Sequence, residues 1–128
     1  MRFSLIIPCY NEAANLPLLL DRCKELAVSP DIEVVLVDNG STDSTAEVLQ
    51  KLLLKYPWCR SIRVERNQGY GFGIVSGLKA AKGKILGWTH ADMQTDPQDA
   101  LNGLDLFEKY GDNIFVKKVD KENYVVLE

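Results

Sequence analysis

The alternation of short apolar runs with helical stripes limits this chain more than any other feature. FSLIIP at 3–8 and IEVVLV at 32–37 are nearly unbroken runs rich in β-favouring residues. A strand covered on both faces reads this way, whereas a strand with one wet face alternates. Between the two runs, Leu16, Leu19, Leu20, Cys23 and Leu26 fall on one side of a helix. Asn15 is expected as its N-cap, with Pro17 tolerated in the first turn. Ser44 and Glu47 have capping-box spacing, and Ala46, Leu49, Leu52, Leu53 and Tyr56 form the apolar face of a second helix. SIRVE at 61–65 predicts a third strand, ILGW at 85–88 a fourth and residues 114–116 a fifth. A third helix is expected to open after Arg66 and run to about Ala81, with Gly83 as its cap. A fourth is expected to start at Asp96 and Pro97, to bury Leu101, Leu104 and Phe107, and to end at Gly111.

Strands alternating with helices predict an α/β fold: a Rossmann-like, mostly parallel sheet with helices on both faces. The length of 128 residues suits one domain. That domain is expected at 1–118, with 119–128 a tail for which the sequence offers no partner. Fifteen Lys and Arg against eighteen Asp and Glu give a net charge of -3, without a basic run. Nucleic acid is therefore an unsuited partner, because phosphate neutralisation needs clustered cations. The cysteines, Cys9, Cys23 and Cys59, are odd in number and form no C-x-x-C, so reduced, buried thiols of a cytoplasmic protein are expected. The N-terminus lacks the pattern of a signal peptide, and no stretch approaches the roughly eighteen apolar residues of a membrane span. The expected location is cytoplasmic, at most peripheral to the membrane face.

Ligands of parallel α/β sheets bind beyond the carboxyl ends of the strands. Four polar clusters follow four of the predicted strands: Pro8, Tyr10 and Glu12; Asp38, Asn39 and Ser41; Asn67 to Gly73; and His90, Asp92 and Gln94. Each also has a plainer reading. Asp38 is equally a local turn residue, Tyr10 an edge-packing ring, and Glu12 a solvated turn residue. Gly69, Gly71 and Gly73 serve equally in a tight turn or in close helix packing. They do not spell G-x-G-x-x-G, since position 76 is Ser76, and they follow the third strand instead of the first, which disfavours a dinucleotide binder. His90, Asp92 and Gln94 alternate, so an extended segment projects all three to one side. Imidazole, carboxylate and amide oxygen together can hold a divalent cation, and Mn²⁺ accepts imidazole more readily than Mg²⁺ does. Taken alone, His90 reads as a hydrogen-bonded histidine at the sheet edge.

IIPCYNEAANLPLLL, VVLVDNGSTDST, NQGYGFGIVSGLKAAKG and THADMQTDP, in this order and spacing, resemble the family 2 glycosyltransferases of GT-A fold. The chain looks most like the dolichyl- and polyprenyl-phosphate sugar transferases among them. The resemblance covers about residues 3–116 and implies an inverting transferase using a UDP- or GDP-sugar. It implies that Pro8, Tyr10 and Glu12 shape the nucleoside pocket, with Glu12 near the ribose hydroxyls. Asp38 and Asn39 would lie beside the base, and Asn67, Gly69 and Gly73 would line the donor site. Asp92 would be the second acid of the metal-binding D-x-D motif and the residue that carries catalysis. Gln94 and His90 would lie beside it on Mg²⁺ or Mn²⁺, with His90 standing where the family has the first acid. A lipid-phosphate acceptor is implied as well. The family's catalytic domain continues into an acceptor-binding half, so the chain is expected to be the donor-binding half alone, truncated. An oligomer or a second chain is the expected alternative source of the rest. The competing reading is a non-catalytic nucleotide-sugar-binding remnant.

Overall fold

β1 (Phe3–Cys9) and β2 (Ile32–Asn39) are buried at every position, as their unbroken apolar runs require. The computed structural model describes residues 1–92, 96–111, 113–118 and 124–127. β3 (Cys59–Val64) and β4 (Ile85–Trp88) complete a four-stranded sheet of order β3-β2-β1-β4, parallel at every pairing. Alternate residues of the central strands serve opposite faces. Phe3, Leu5, Ile7 and Cys9 join Val34, Leu36 and Leu49 in the larger core, whereas Ile6, Val35 and Val37 join Val64 and half-buried Leu78 in the smaller one.

α1 (Leu16–Arg22) and a following 3₁₀ segment (Cys23–Val28) carry the first stripe, with Leu16, Leu19, Leu20, Cys23 and Leu26 fully buried. α2 (Thr45–Leu53) contributes Leu49 to the same face and α4 (Asp99–Tyr110) contributes Leu104. α3 (Tyr70–Ala80) covers the other face, against β1 and β2. Helices on both faces of a parallel sheet are the architecture that the alternation predicts.

Four local expectations are corrected. Ser44 caps α2 by position without a side-chain hydrogen bond; the Asp43 carboxylate instead accepts from the Thr45 backbone N–H at 2.9 Å. Gly83 does not cap α3, which ends at Ala81 in extended conformation. Gly83 crosses β1 so closely that a Cβ would lie 2.6 Å from the Ser4 nitrogen. α4 begins at Asp99, after a turn in which Asp96 Oδ1 accepts from the Gln98 N–H at 2.9 Å. The fifth strand leaves the parallel sheet: β5 (Phe115–Lys118) pairs antiparallel with β6 (Tyr124–Leu127), inside the segment for which the sequence offered no partner. Lys117 and Lys118 suit this more open strand, none of whose residues is fully buried, because charged heads stay hydrated there. Lys118 pairs with Asp99 at 2.7 Å, and the Phe115 ring lies 6.4 Å from Trp88.

Candidate functional site

The strand order sets the carboxyl ends of β2, β1 and β4 side by side, with β1 central. Beyond β1, Asn11 adopts φ +53°, a left-handed conformation that asparagine tolerates better than most residues. Its side-chain oxygen accepts from the N–H groups of Thr42 at 2.9 Å and Asp43 at 3.2 Å. Its own N–H donates to Ser41 Oγ at 3.1 Å, and the Glu12 N–H donates to Thr45 Oγ1 at 3.1 Å. The loop after β1 is thus stitched to the loop after β2. The half-buried Glu12 carboxylate accepts from Asn15 Nδ2 at 2.7 Å, so its direction is set.

At the end of β2, Asp38 and Asn39 are both buried. Asp38 Oδ1 accepts from the Ser41 N–H at 3.1 Å, and Oδ2 pairs with Arg63 at 2.6 Å. Both oxygens therefore pin the loop, in line with the turn reading of Asp38. Asn39 Nδ2 donates to the Gly69 carbonyl at 3.1 Å, whereas its buried Oδ1 has no hydrogen-bond partner among the described residues. A buried acceptor is stabilised by a donor, so a group that supplied one here would gain by it. Asn67 Oδ1 accepts from the Gly69 N–H at 2.8 Å, and Gly69 holds φ +106° at the start of α3. A Cβ on Gly73 would lie 2.8 Å from Asn39 Nδ2, so glycine there lets the helix sit over the amide. Asn67, Gly69 and Gly73 are thereby gathered around Asn39.

Beyond β4, His90 and Asp92 line a cleft of about 200 Å³ with Pro8, Tyr10, Glu12 and Tyr70. The Tyr70 hydroxyl lies 3.1 Å from His90 Nδ1, and the two rings stack 5.3 Å apart, 9° from parallel. Burial, aided by the Asp92 charge, pushes the Tyr70 phenol up from its ordinary value, so it stays protonated. Sequence reasoning missed Tyr70 and Asn11. Tyr70 sits within a glycine-rich run read for its backbone, and Asn11 lay between two residues chosen for their side chains. A larger hollow of about 600 Å³ lies between β4, α4 and β5 and is mainly apolar, with Phe3, Trp88, Leu104 and Phe107 on its walls. His90 lines this hollow as well, but Tyr10, Glu12, Tyr70 and Asp92 are in the smaller cleft.

The imidazole of His90 and the carboxylate of Asp92 share one cleft, as a cation site needs; Gln94 lies outside the described residues. Among the described residues, no group of three or more His, Cys, Asp and Glu gathers to hold an ion. One nitrogen and one oxygen donor fit a divalent cation that draws its remaining ligands from phosphate oxygens and water. The three cysteines are free and buried, and burial pushes their thiols up, Cys23 to about 12, so they are inert. Among the described residues, no helix is long and apolar enough to cross a membrane.

The sequence profile described as Glycosyl transferase family 2 matches residues 4–128. An undecaprenyl-phosphate 4-deoxy-4-formamido-L-arabinose transferase of Photorhabdus laumondii is 31% identical over 127 residues, covering 95% of this chain and 38% of that protein. A dolichol-phosphate mannosyltransferase of Pyrococcus furiosus is 37% identical over 98 residues, covering 77% of this chain and 28% of that one. The chain therefore spans about a third of the length of these relatives. Among solved structures, the mannosyltransferase PcManGT from Pyrobaculum calidifontis, in complex with GDP-Man and Mn²⁺, superposes with a TM-score of 0.74 at 29% identity. That likeness covers 83% of this chain and 32% of the other. S. aureus TarS in complex with UDP-GlcNAc superposes with a TM-score of 0.70 at 25% identity, covering 96% and 36%.

Proposed function

The chain belongs to glycosyl transferase family 2, and from that premise we propose that it binds a nucleoside-diphosphate sugar across the carboxyl ends of β1, β2 and β4 and serves in transfer of the sugar. The observation that carries this reading is the convergence of Tyr10, Glu12, Tyr70, His90 and Asp92 in one cleft. The GDP-Man and UDP-GlcNAc held by the two structural relatives support the ligand class.

Asn39 Oδ1, buried without a partner, offers the base an acceptor for one of its N–H groups. Asp38 holds the adjoining loop through Ser41 and Arg63. Pro8 and Tyr10 flank the nucleoside, and Glu12, already oriented by Asn15, accepts from ribose hydroxyls. Asn67, Gly69 and Gly73 shape the wall beside Asn39. His90 and Asp92, which share the cleft, would hold the diphosphate and a Mn²⁺ or Mg²⁺ ion, with Gln94 as a further ligand. A divalent ion there supplies Lewis-acid neutralisation of the leaving nucleoside diphosphate. The Mn²⁺ in the PcManGT complex supports that cofactor class.

The transfer is an inverting displacement: an acceptor oxygen bonds to the anomeric carbon as the bond to the diphosphate oxygen breaks. A polyprenyl phosphate is the acceptor favoured by the names of the relatives. Such an acceptor attacks as an anion and needs no dedicated base. In this reading residues 1–118 are a donor-binding unit that works at the cytoplasmic face of a membrane. A second reading, nucleotide-sugar binding without turnover, is favoured by His90 standing where the family motif has an acid.

Thermal unfolding with UDP-glucose, GDP-mannose or NAD, each with Mn²⁺, Mg²⁺ or EDTA, tests the binding claim. A metal-dependent rise in Tm with a sugar nucleotide, and none with NAD, is the expected result. No rise with any sugar nucleotide overturns both readings. Sugar transfer to a polyprenyl phosphate then separates them, since binding without transfer favours the second.

A further inference from the structure

We infer that Tyr70 is a positioning residue that fixes the plane and tautomer of His90, so that Nε2 becomes a nitrogen ligand for the cation that accompanies the nucleotide. The inference rests on the nucleotide-sugar reading of the cleft and deepens it. A carboxylate can offer either oxygen to a metal, whereas an imidazole ligates only through a nitrogen that carries no proton. A histidine in this position therefore needs a neighbour to hold the proton on its other nitrogen.

The Tyr70 hydroxyl meets that need, and the Tyr70 ring holds the imidazole plane. Its hydroxyl lies 3.1 Å from His90 Nδ1, within reach of an Nδ1–H that donates to the phenol oxygen. Its ring stacks at 5.3 Å and 9°, which fixes the imidazole plane. With the proton on Nδ1, as proposed, Nε2 is the nitrogen available to the cleft shared with Asp92. Tyr70 is itself held, as the first residue of α3 after Gly69, whose carbonyl accepts from Asn39 Nδ2. A continuous path thus runs from Asn39 through Gly69 and Tyr70 to His90. The resulting nitrogen-and-carboxylate pair favours Mn²⁺ over Mg²⁺, because imidazole suits transition metals and Mg²⁺ prefers oxygen.

Pulsed and continuous-wave EPR of Mn²⁺, added to the chain with GDP or UDP, tests the inference. Wild type, Tyr70→Phe, His90→Ala and the double variant are compared. Tyr70 is 43% exposed, so its substitution by Phe leaves the core intact. Wild type should show ¹⁴N coupling from a directly bound imidazole, and His90→Ala should lose it. Tyr70→Phe should weaken Mn²⁺ binding by about 10- to 100-fold, with a smaller loss for competing Mg²⁺. In the His90→Ala background the Tyr70→Phe change should have no further effect on Mn²⁺, which a merely structural role would not produce. The inference is overturned, with the nucleotide-sugar reading intact, if wild type binds Mn²⁺ with nucleotide but lacks ¹⁴N coupling. It is overturned in the same way if Tyr70→Phe binds Mn²⁺ like wild type, or if its loss persists without His90. A wild-type chain that holds no Mn²⁺ with either nucleotide overturns the underlying reading and the inference together.

Discussion

At the amino end of the parallel sheet, Glu33 is buried with every strong partner in place. It accepts from Ser4 Oγ at 2.6 Å, the Lys82 N–H at 2.7 Å and Arg60 Nε at 2.9 Å. Ser4 in turn accepts from the Gly83 N–H at 2.8 Å, and the Arg60 guanidinium also reaches the Ala80 carbonyl. At the carboxyl end of the same strand, Asn39 is equally buried, yet its Oδ1 has no partner among the described residues. The amino end of β2 closes its polar groups upon the protein; at the carboxyl end Asp38 is closed in the same way, and Asn39 Oδ1 alone of the pair is not. A saturated buried network serves the fold, and an unsaturated acceptor at the other end of the strand is, in the proposed reading, met by the nucleotide.

Several substitutions probe this contrast. Glu33→Ala should have the largest effect, about 3 kcal/mol of lost stability in chemical denaturation, because it strips partners from Ser4, Lys82 and Arg60 at once. Nucleotide affinity of the folded fraction should not change. Asp92→Ala should do the reverse: metal-dependent nucleotide affinity falls about 100-fold, while stability stays within about 0.5 kcal/mol. Calorimetric titration beside a denaturation curve reads both. Retained affinity in Asp92→Ala would show that the cation lies elsewhere.

Asn39→Ala should weaken nucleotide binding by about tenfold, since it removes a buried acceptor worth roughly 1.5 kcal/mol once met. The loss should appear with either metal, unlike the metal-selective loss expected for Tyr70→Phe. Acid should give the smallest effect, confined to the amino end. Burial pushes the Glu33 carboxyl up, but hydrogen bonds from Arg60, Ser4 and Lys82 outweigh it and hold it below the usual carboxylate range. A depressed folded value contributes stability that is present above the ordinary carboxylate pKa and is lost as pH falls through the folded one. Glu33→Gln should therefore flatten the acid limb of the stability profile and leave nucleotide binding at neutral pH unchanged.

The contrast also marks how far the sequence can be read. β1 and β2 were legible because burial on both faces leaves a short apolar run rich in β-branched residues, ended by turn residues, which neither a wet strand nor a full-length helix shares. The strand-end clusters were legible because parallel topology brings every carboxyl end to one edge. Helix starts were less so: Asp43 and Asp96 do the hydrogen bonding near the ends of α2 and α4, and neither is the cap residue itself. The β5–β6 hairpin was not legible, since it depends on which edge accepts a short strand that ends in two lysines. Nor was the Tyr70–His90 pair, whose members stand 20 residues apart and meet only because α3 begins beside the end of β4. Asn39 was expected beside a base, but no sequence pattern reveals that one side of its amide is satisfied and the other is not.

The central claim is that ligand binding belongs to the carboxyl end of this sheet. Backbone hydrogen exchange with and without GDP-mannose or UDP-GlcNAc, in the presence of Mn²⁺, tests it most directly. The account predicts new protection at 8–12, 38–41, 67–73 and 89–92, with none added at 2–4, 31–33 or 82–85. Protection centred on the Glu33 network, or none at either end, would contradict it.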